Sequence, residues 1–367
     1  MPTFFVPGPT FVSSEVLAEL TRPAISHRSR AYGELHGEVV DRLKNLFGWK
    51  NYHVFLVTSS ATGVMEGVIR NCVEKTVIHT TCGAFSEKWG EISEMNGKKI
   101  IKIEKQWGQA IKPEDIEPVL KKTIEEKNPA EAITFTHCET STGVLNPIEK
   151  LCKSVKKISP ETLIFVDSVS AFGGAPADVE KLGIDVLFFG VQKTFALPPG
   201  LTIAVVSERA LEKSKKIQNK GYYFNFEVLA EYNAKNNTPS TPAIPLIYGL
   251  KKQLERMKTE SIKNRFERHN QMLDAVKAWS QNNGFKLFAE KGYESPTVTC
   301  LIPPEDISVQ KLVEKLKEEG FTVPAGYGKL KEQAFRIGHM GENNQKDVEN
   351  LLVAITNLIK NKSCTKL

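Results

Sequence analysis

Val186-Leu187-Phe188-Phe189-Gly190-Val191-Gln192-Lys193-Thr194 joins an apolar run of strand length to a lysine. Ala196-Leu197-Pro198-Pro199-Gly200 follows and cannot continue a helix. A lysine at the end of a buried strand is held rigidly and partly stripped of water. Desolvation lowers its pKa and frees the amine as a nucleophile toward an aldehyde. Upstream, Thr162-Leu163-Ile164-Phe165-Val166 runs into Asp167, a second strand-end group. One lysine for a Schiff base and one aspartate for a pyridinium nitrogen are what pyridoxal phosphate asks of a protein. The competing reading of Lys193 is a surface lysine; the flanking Phe188-Phe189 and Pro198-Pro199 argue against it.

Outward from this point, strand and helix patterns alternate, which predicts an α/β fold with a mainly parallel mixed sheet flanked by helices. Strands are expected at 54–57, 76–79, 99–103, 132–136, 162–166, 186–189 and 201–206. Helices are expected at 62–72, 84–96 and 113–126, and another from Pro147. From about Leu254 the texture changes to one long charged helix over 256–281, then shorter strands at 297–302 and 334–337 and helices at 309–318 and 345–360. This predicts a smaller C-terminal α+β domain over 259–367, with 1–258 forming the N-terminal arm and the large cofactor-binding domain. The arm, Pro/Gly-rich, is expected to pack on the small domain or on a second subunit.

In open α/β sheets ligands bind beyond the carboxyl ends of the strands. Ser60, Ala61 and Thr62, in Thr58-Ser59-Ser60-Ala61-Thr62-Gly63, open a helix with small and hydroxyl residues, a pattern that makes a phosphate cup. The same pattern also makes an ordinary N-cap. In His137-Cys138-Glu139-Thr140-Ser141-Thr142-Gly143, Thr140 is a candidate for the ring oxygen and His137 reads as structural. Val169 and Phe85 are candidates for the two faces of the ring. Lys193 doubles as general base for a 1,3-proton shift. Arg336, in Phe335-Arg336-Ile337-Gly338-His339, needs an anion, either a substrate α-carboxylate or an internal Asp or Glu.

Composition narrows the class. The 367 residues are 41% hydrophobic and 25% charged, ordinary for a soluble globular chain. The net charge of +6 is spread among acidic residues, which favours solvated helix faces over a nucleic-acid partner. No C-x-x-C pair occurs among the six cysteines, which read as reduced thiols of a cytoplasmic protein with no metal site. No run approaches membrane-spanning length, and Met1 to Thr10 does not resemble a secretory signal. Thr365-Lys366-Leu367 is close to a peroxisomal tripeptide but has Thr where Ser is preferred, and reads as chance.

Taken in order, several motifs resemble those of the class V (fold type I) aminotransferases, close to the serine–pyruvate and alanine–glyoxylate branch. They are Pro7-Gly8-Pro9-Thr10, Ser60-Ala61-Thr62-Gly63, Glu139-Thr140-Ser141-Thr142-Gly143-Val144, Asp167-Ser168-Val169-Ser170, Gln192-Lys193, Thr238-Pro239-Ser240-Thr241-Pro242 and Arg336-Ile337-Gly338. The resemblance implies pyridoxal 5'-phosphate, a homodimer with shared sites, and ping-pong transfer of an amine from serine or alanine to pyruvate or glyoxylate. It implies Gln192 as a phosphate or ring-side ligand, and Thr238 and Thr241 as residues reaching the neighbouring subunit's phosphate site. Phe85 departs from the Trp of the alanine–glyoxylate enzymes, and Ala61 and Thr62 from a more usual Gly and His. His27-Arg28-Ser29 resembles the phosphoserine aminotransferases, with Arg28 a reader of a second anionic group. The alternatives are therefore a phosphoserine or aspartate aminotransferase, a class V lyase such as a cysteine desulfurase, and a non-catalytic α/β binding protein.

Overall fold

The computed structural model describes residues 3–366; Met1, Pro2 and Leu367, the last residue of the tripeptide discussed above, lie outside them. In chain order the strands are β1 (Thr3–Phe4), β2 (Tyr52–Val57), β3 (Thr76–Thr81), β4 (Lys99–Glu104), β5 (Ala132–Thr136), β6 (Cys138–Glu139) and β7 (Val144–Leu145). They continue as β8 (Leu163–Asp167), β9 (Val186–Gly190), β10 (Thr202–Ser207), β11 (Lys286–Leu287), β12 (Thr299–Ile302), β13 (Phe321–Thr322) and β14 (Phe335–Ile337).

The large sheet has seven strands in the order β2-β10-β9-β8-β5-β3-β4. From β4 to β9 neighbours run parallel, and β10 is antiparallel to both β9 and β2. The sheet is mixed and mainly parallel, as the alternating pattern predicts. Strand periodicity assigns alternate residues to opposite faces. Leu187 and Phe189 join one core and Val186 and Phe188 the other. Both faces are covered, so β8, β9 and β10 are buried at every residue and read as unbroken apolar runs.

The strand order reverses at β3. Its successor β4 lies on one side and β5 on the other, which opens a crevice at the carboxyl ends of β3 and β5. An aromatic group anchors the strand that leads to Lys193: Phe172 and Phe195 each lie 4.6 Å from Phe189, and Phe47 stacks on Trp49 at 5.1 Å.

A three-stranded antiparallel sheet, β11-β12-β14, lies in the C-terminal part with its own core around Met272, Phe285, Leu301, Phe335 and Ile355. The helices depart from expectation, and the arm takes one of its two expected places. The single helix expected over 256–281 is two, Ile244–Glu260 and Ile262–Asn282, because Ser261 takes φ 66° and its hydroxyl caps the second by accepting from Asn264 N. The division near residue 258 falls inside the first of these. The arm lies with the C-terminal elements: β1 pairs parallel with β13, and the fully buried Phe5 belongs to their core. Phe5 finds apolar partners there, and the extended arm finds an open strand edge. The helices Ser14–Leu20 and Arg30–Phe47, capped by Ser13 and Ser29, were not anticipated.

Phe189→Ala is expected to cost about 3–5 kcal/mol, because rings on several sides leave a cavity that cannot collapse. Urea unfolding followed by tryptophan fluorescence measures it.

Candidate active site

Asp167 ends β8, and Lys193 lies three residues past the end of the adjacent parallel strand β9, so both stand at the same edge of the sheet. Asp167 is buried, and the one bond to its side chain among the described residues comes from Val169 N at 2.9 Å. Burial pushes its carboxyl up to about 7; the Val169 N–H opposes this, Glu139 adds to it and Lys193 opposes it. Burial likewise drives the Lys193 amine down to about 8. Cys138, Asp167 and Glu139 resist that shift, and Arg336 adds to it.

The Lys193 loop is tied on several sides. Thr10 N donates to Gln192 O at 3.1 Å and Thr10 Oγ1 to Lys193 O at 2.9 Å. Buried Arg265 donates to Thr194 O, and Lys193 Nζ donates to Pro7 O. Gly8, at φ 90°, lies so close that a Cβ there would stand 2.9 Å from Lys193 Cε.

The loop after β5 and the helix Ala84–Met95 after β3 form the opposite wall. Thr140 Oγ1 bonds Ser170 Oγ at 2.5 Å, and Thr140 O receives Arg336 Nη1 at 3.4 Å. Phe85 lies 5.2 Å from the Tyr327 ring, and Lys193 Nζ sits 6.0 Å from the Phe85 centroid. Arg336, on β14, stands 5.5 Å from the Tyr327 ring. It is buried, and among the described residues its side chain makes one other bond, a 3.4 Å donation to Ala325 O. The internal Asp or Glu partner considered for it is absent among the described residues. Lys193, Asp167, Thr140, Phe85 and Arg336 thus meet in one place. His137 is held by Ser168 Oγ at 3.0 Å, and burial takes it to about 3, which keeps it neutral and structural.

At the end of β2, Ser60 is the N-cap of the helix Ala61–Cys72, yet its side chain caps nothing. The neighbouring Ser59 hydroxyl is buried without a partner among the described residues. Ala61 is buried and Thr62 exposed. Gln192 folds its side chain back against Gly190. Val169 packs against the core beneath the sheet. Thr238 and Thr241 line a groove with Thr58, Tyr223 and Pro239. Arg28 holds the 237–239 segment: it donates to Asn237 Oδ1 at 2.8 Å, Thr238 O at 2.6 Å and Pro239 O at 3.1 Å.

Three features were missed in the sequence: the buried acid Glu139, the partnerless Ser59 hydroxyl, and the Pro7-Gly8 segment packed on Lys193. Glu139 stood inside a quoted motif, but its polar neighbours, His137 and Thr140 to Thr142, gave no local sign of burial. What the chain leaves open fits an aldehyde-bearing pyridine phosphate: an amine driven toward neutrality, a dry carboxylate short of partners, and free hydroxyls at a helix N-terminus. Among the described residues no group of His, Cys, Asp or Glu could hold a metal, and no helix is long and apolar enough to cross a membrane.

A family model described as aminotransferase class-V matches residues 12–351. An uncharacterized aminotransferase of Methanocaldococcus jannaschii is 36% identical over 360 residues, covering 97% of this chain and 92% of that protein. A serine–glyoxylate aminotransferase of Methylorubrum extorquens is 29% identical over 350 residues, covering 93% and 87%. The solved phosphoserine aminotransferase of Cytophaga hutchinsonii superposes with a TM-score of 0.90 at 29% identity, covering 98% of this chain and 99% of that one.

The two shifted groups make opposite demands on pH. Asp167 is protonated in both states below its ordinary 3.8; as pH rises to 7 the unfolded chain ionises first, and folding loses stability that does not return. Lys193 costs stability below about 8, and the cost fades as pH climbs to its ordinary 10.5. In the cofactor-free protein Asp167→Asn is therefore expected to melt higher than wild type at pH 8 and equally near pH 3.8. Lys193→Met is expected to melt higher at pH 7, with the gap closing toward 10.5. Thermal melts across pH check both.

Proposed function

From the premise that the chain belongs to the class V aminotransferases, we propose that this transaminase moves an amine from serine or alanine to pyruvate or glyoxylate, using pyridoxal 5'-phosphate. The observation that carries the substrate reading is Arg336, a buried guanidinium with no carboxylate partner among the described residues, beside the Lys193–Asp167 pair. Its planar donors match the α-carboxylate that an amino acid and a 2-oxo acid share. The cytoplasm, where both substrates and reduced thiols are found, is the proposed compartment, and the working unit is a homodimer.

When bound, the cofactor supplies a cationic ring that draws off the electrons released as a Cα proton leaves. The roles of the chain's own residues follow from their surroundings. Asp167 holds the ring nitrogen's proton; a cation beside it returns its pKa toward the ordinary carboxylate range. Lys193 Nζ anchors the cofactor and later takes and returns the Cα proton, a task suited to an amine poised near neutrality. Phe85 and Val169 would bound the ring's faces, and the Thr140 hydroxyl would meet its oxygen. Ser60, with the Ala61 and Thr62 amides, takes the phosphate at a helix N-terminus. Gln192 adds an amide donor, and Thr238 and Thr241 add hydroxyls across the dimer. Phe85 and the Pro7-Gly8 segment both stand against Lys193, which favours a small side chain.

Arg28 separates this reading from its rival. Its donors are committed to the 237–239 segment, which supports a clamp for Thr238 over a reader of a second anion. A phosphoserine or aspartate aminotransferase remains the second reading, favoured by the solved relative above. All six cysteines are buried, which speaks against a desulfurase with a reactive loop thiol.

Serine and alanine are each expected to bleach the visible absorbance of the purified protein; borohydride would also remove it, by linking the cofactor irreversibly to Lys193. Phosphoserine and aspartate are expected to leave it unchanged, and the reverse pattern overturns the substrate assignment. Arg336→Ala should raise KM for both amino and oxo substrates and lower kcat/KM by about tenfold or more, measured by steady-state kinetics. Arg28→Ala should weaken all donors alike; a loss confined to the dianionic ones would make Arg28 their reader.

A further inference from the structure

Glu139 is a carboxylate with 0% exposure whose partners are all neutral donors. Phe85 N donates to it at 3.2 Å, Ser86 N at 3.0 Å and Ser86 Oγ at 2.9 Å. Ser141 N adds a bond at 3.2 Å and Ser141 Oγ one at 2.6 Å. Three of these five donors come from the first turn of the helix Ala84–Met95, whose N-cap, Gly83, has no side chain to offer. A carboxylate at that position takes up orphan N–H groups and meets the positive end of the helix dipole. Space there is reserved for it: a Cβ on Gly83 would stand 2.6 Å from both Glu139 Cδ and Ser141 Oγ.

The other two donors lie on Glu139's own loop, so the carboxylate staples the segment after β5 to the helix after β3 across the crevice between those strands. Thr140 sits between the stapled residues, its hydroxyl on Ser170 and its carbonyl on Arg336. Phe85 is the second residue of the stapled helix. We propose that Glu139 is a positioning residue: one dry carboxylate fixes the Phe85 ring relative to the Thr140 hydroxyl, and so sets the grip on the cofactor ring from its face and its edge. The proposal rests on the cofactor reading above and deepens it.

The charge has a second consequence. The titratable and charged groups that sense Glu139 are Asp167, Lys193, Arg336, Cys82 and Cys138. It raises Asp167 and resists the fall of Lys193, so it shapes the protonation of both groups that hold the cofactor. A glutamine here keeps the volume but turns an NH2 toward donors that it cannot satisfy. Loss of a charged acceptor costs more than loss of a neutral one.

Glu139→Gln tests this, with Ser141→Ala as the milder variant should the first fail to fold. Cofactor affinity by equilibrium dialysis, induced visible circular dichroism of the holoenzyme, and the spectral pH titration are read beside far-UV dichroism. Glu139→Gln is expected to weaken pyridoxal phosphate binding by about tenfold or more, with most of the induced dichroism lost and the spectral pKa moved. Ser141→Ala should shift affinity and dichroism the same way by less. A lower melting temperature with affinity, induced dichroism and spectral pKa unchanged overturns the proposal and leaves Glu139 a helix cap alone. Wild-type protein that binds no pyridoxal phosphate sinks the cofactor reading and this proposal with it, a failure visible before any variant is compared.

Discussion

Asp167 is buried at the carboxyl edge of the large sheet, Lys193 half-buried beside it and Arg336 buried on β14 nearby, with no direct ion pair joining them among the described residues. Folding gains little from such an arrangement, because each charge loses its hydration and finds only amides, hydroxyls or a distant opposite charge in return. The direction of each shift records that cost: the acid is held toward neutrality, and both bases are drawn below their ordinary values. The site stays assembled only because the surrounding scaffold is more stable than the site is unfavourable. Under the proposed assignment a ring nitrogen, an aldehyde and a carboxylate would relieve the three groups in turn, which would link ligand binding to stability in one thermodynamic cycle.

The scaffold meets that demand in two ways. Beneath the lysine, the rings around Phe189 fix the strand from which the loop springs. Around the lysine, backbone carbonyls of Gln192, Lys193 and Thr194 are each held by a side chain or amide from a distant segment, Thr10 or Arg265. Arg265 also reaches Gly173 O and Gly341 O, so one guanidinium ties the large sheet's loops to the C-terminal region. The N-terminal arm completes the enclosure: Gly338 N bonds Phe5 O, which places the Pro7-Gly8 segment between Arg336's strand and the lysine.

Much of the site was legible before any coordinates. Lys193 and Asp167 announce themselves because a charged residue at the end of an unbroken apolar strand is rare without a task. Arg336 is legible for the same reason, and among the described residues its side chain meets carbonyls rather than the internal Asp or Glu that was its other reading. Thr140 was legible as a member of an ordered motif, and Phe85 by its place at the start of the helix expected over 84–96. Glu139 was passed over although it lies one residue from Thr140, since an acid next to a turn reads as solvated. Its five donors come from both sides of the crevice, and one side lies more than fifty residues upstream. Ser261 likewise gave no sign that it would break a charged helical pattern, because a single residue at positive φ leaves the hydrophobic period intact on either side.

Sequence alone determined the alternation of strands and helices, the strand-end chemistry and the family, because strand period, helix capping and motif order are local properties of a chain. Tertiary structure alone decided that the arm joins the C-terminal core, that Arg28 clamps the 237–239 segment, and that Glu139 bridges two strand ends. Each of those outcomes depends on which distant groups can satisfy a buried ring, a guanidinium or a carboxylate, and that is settled only when the whole chain closes around them.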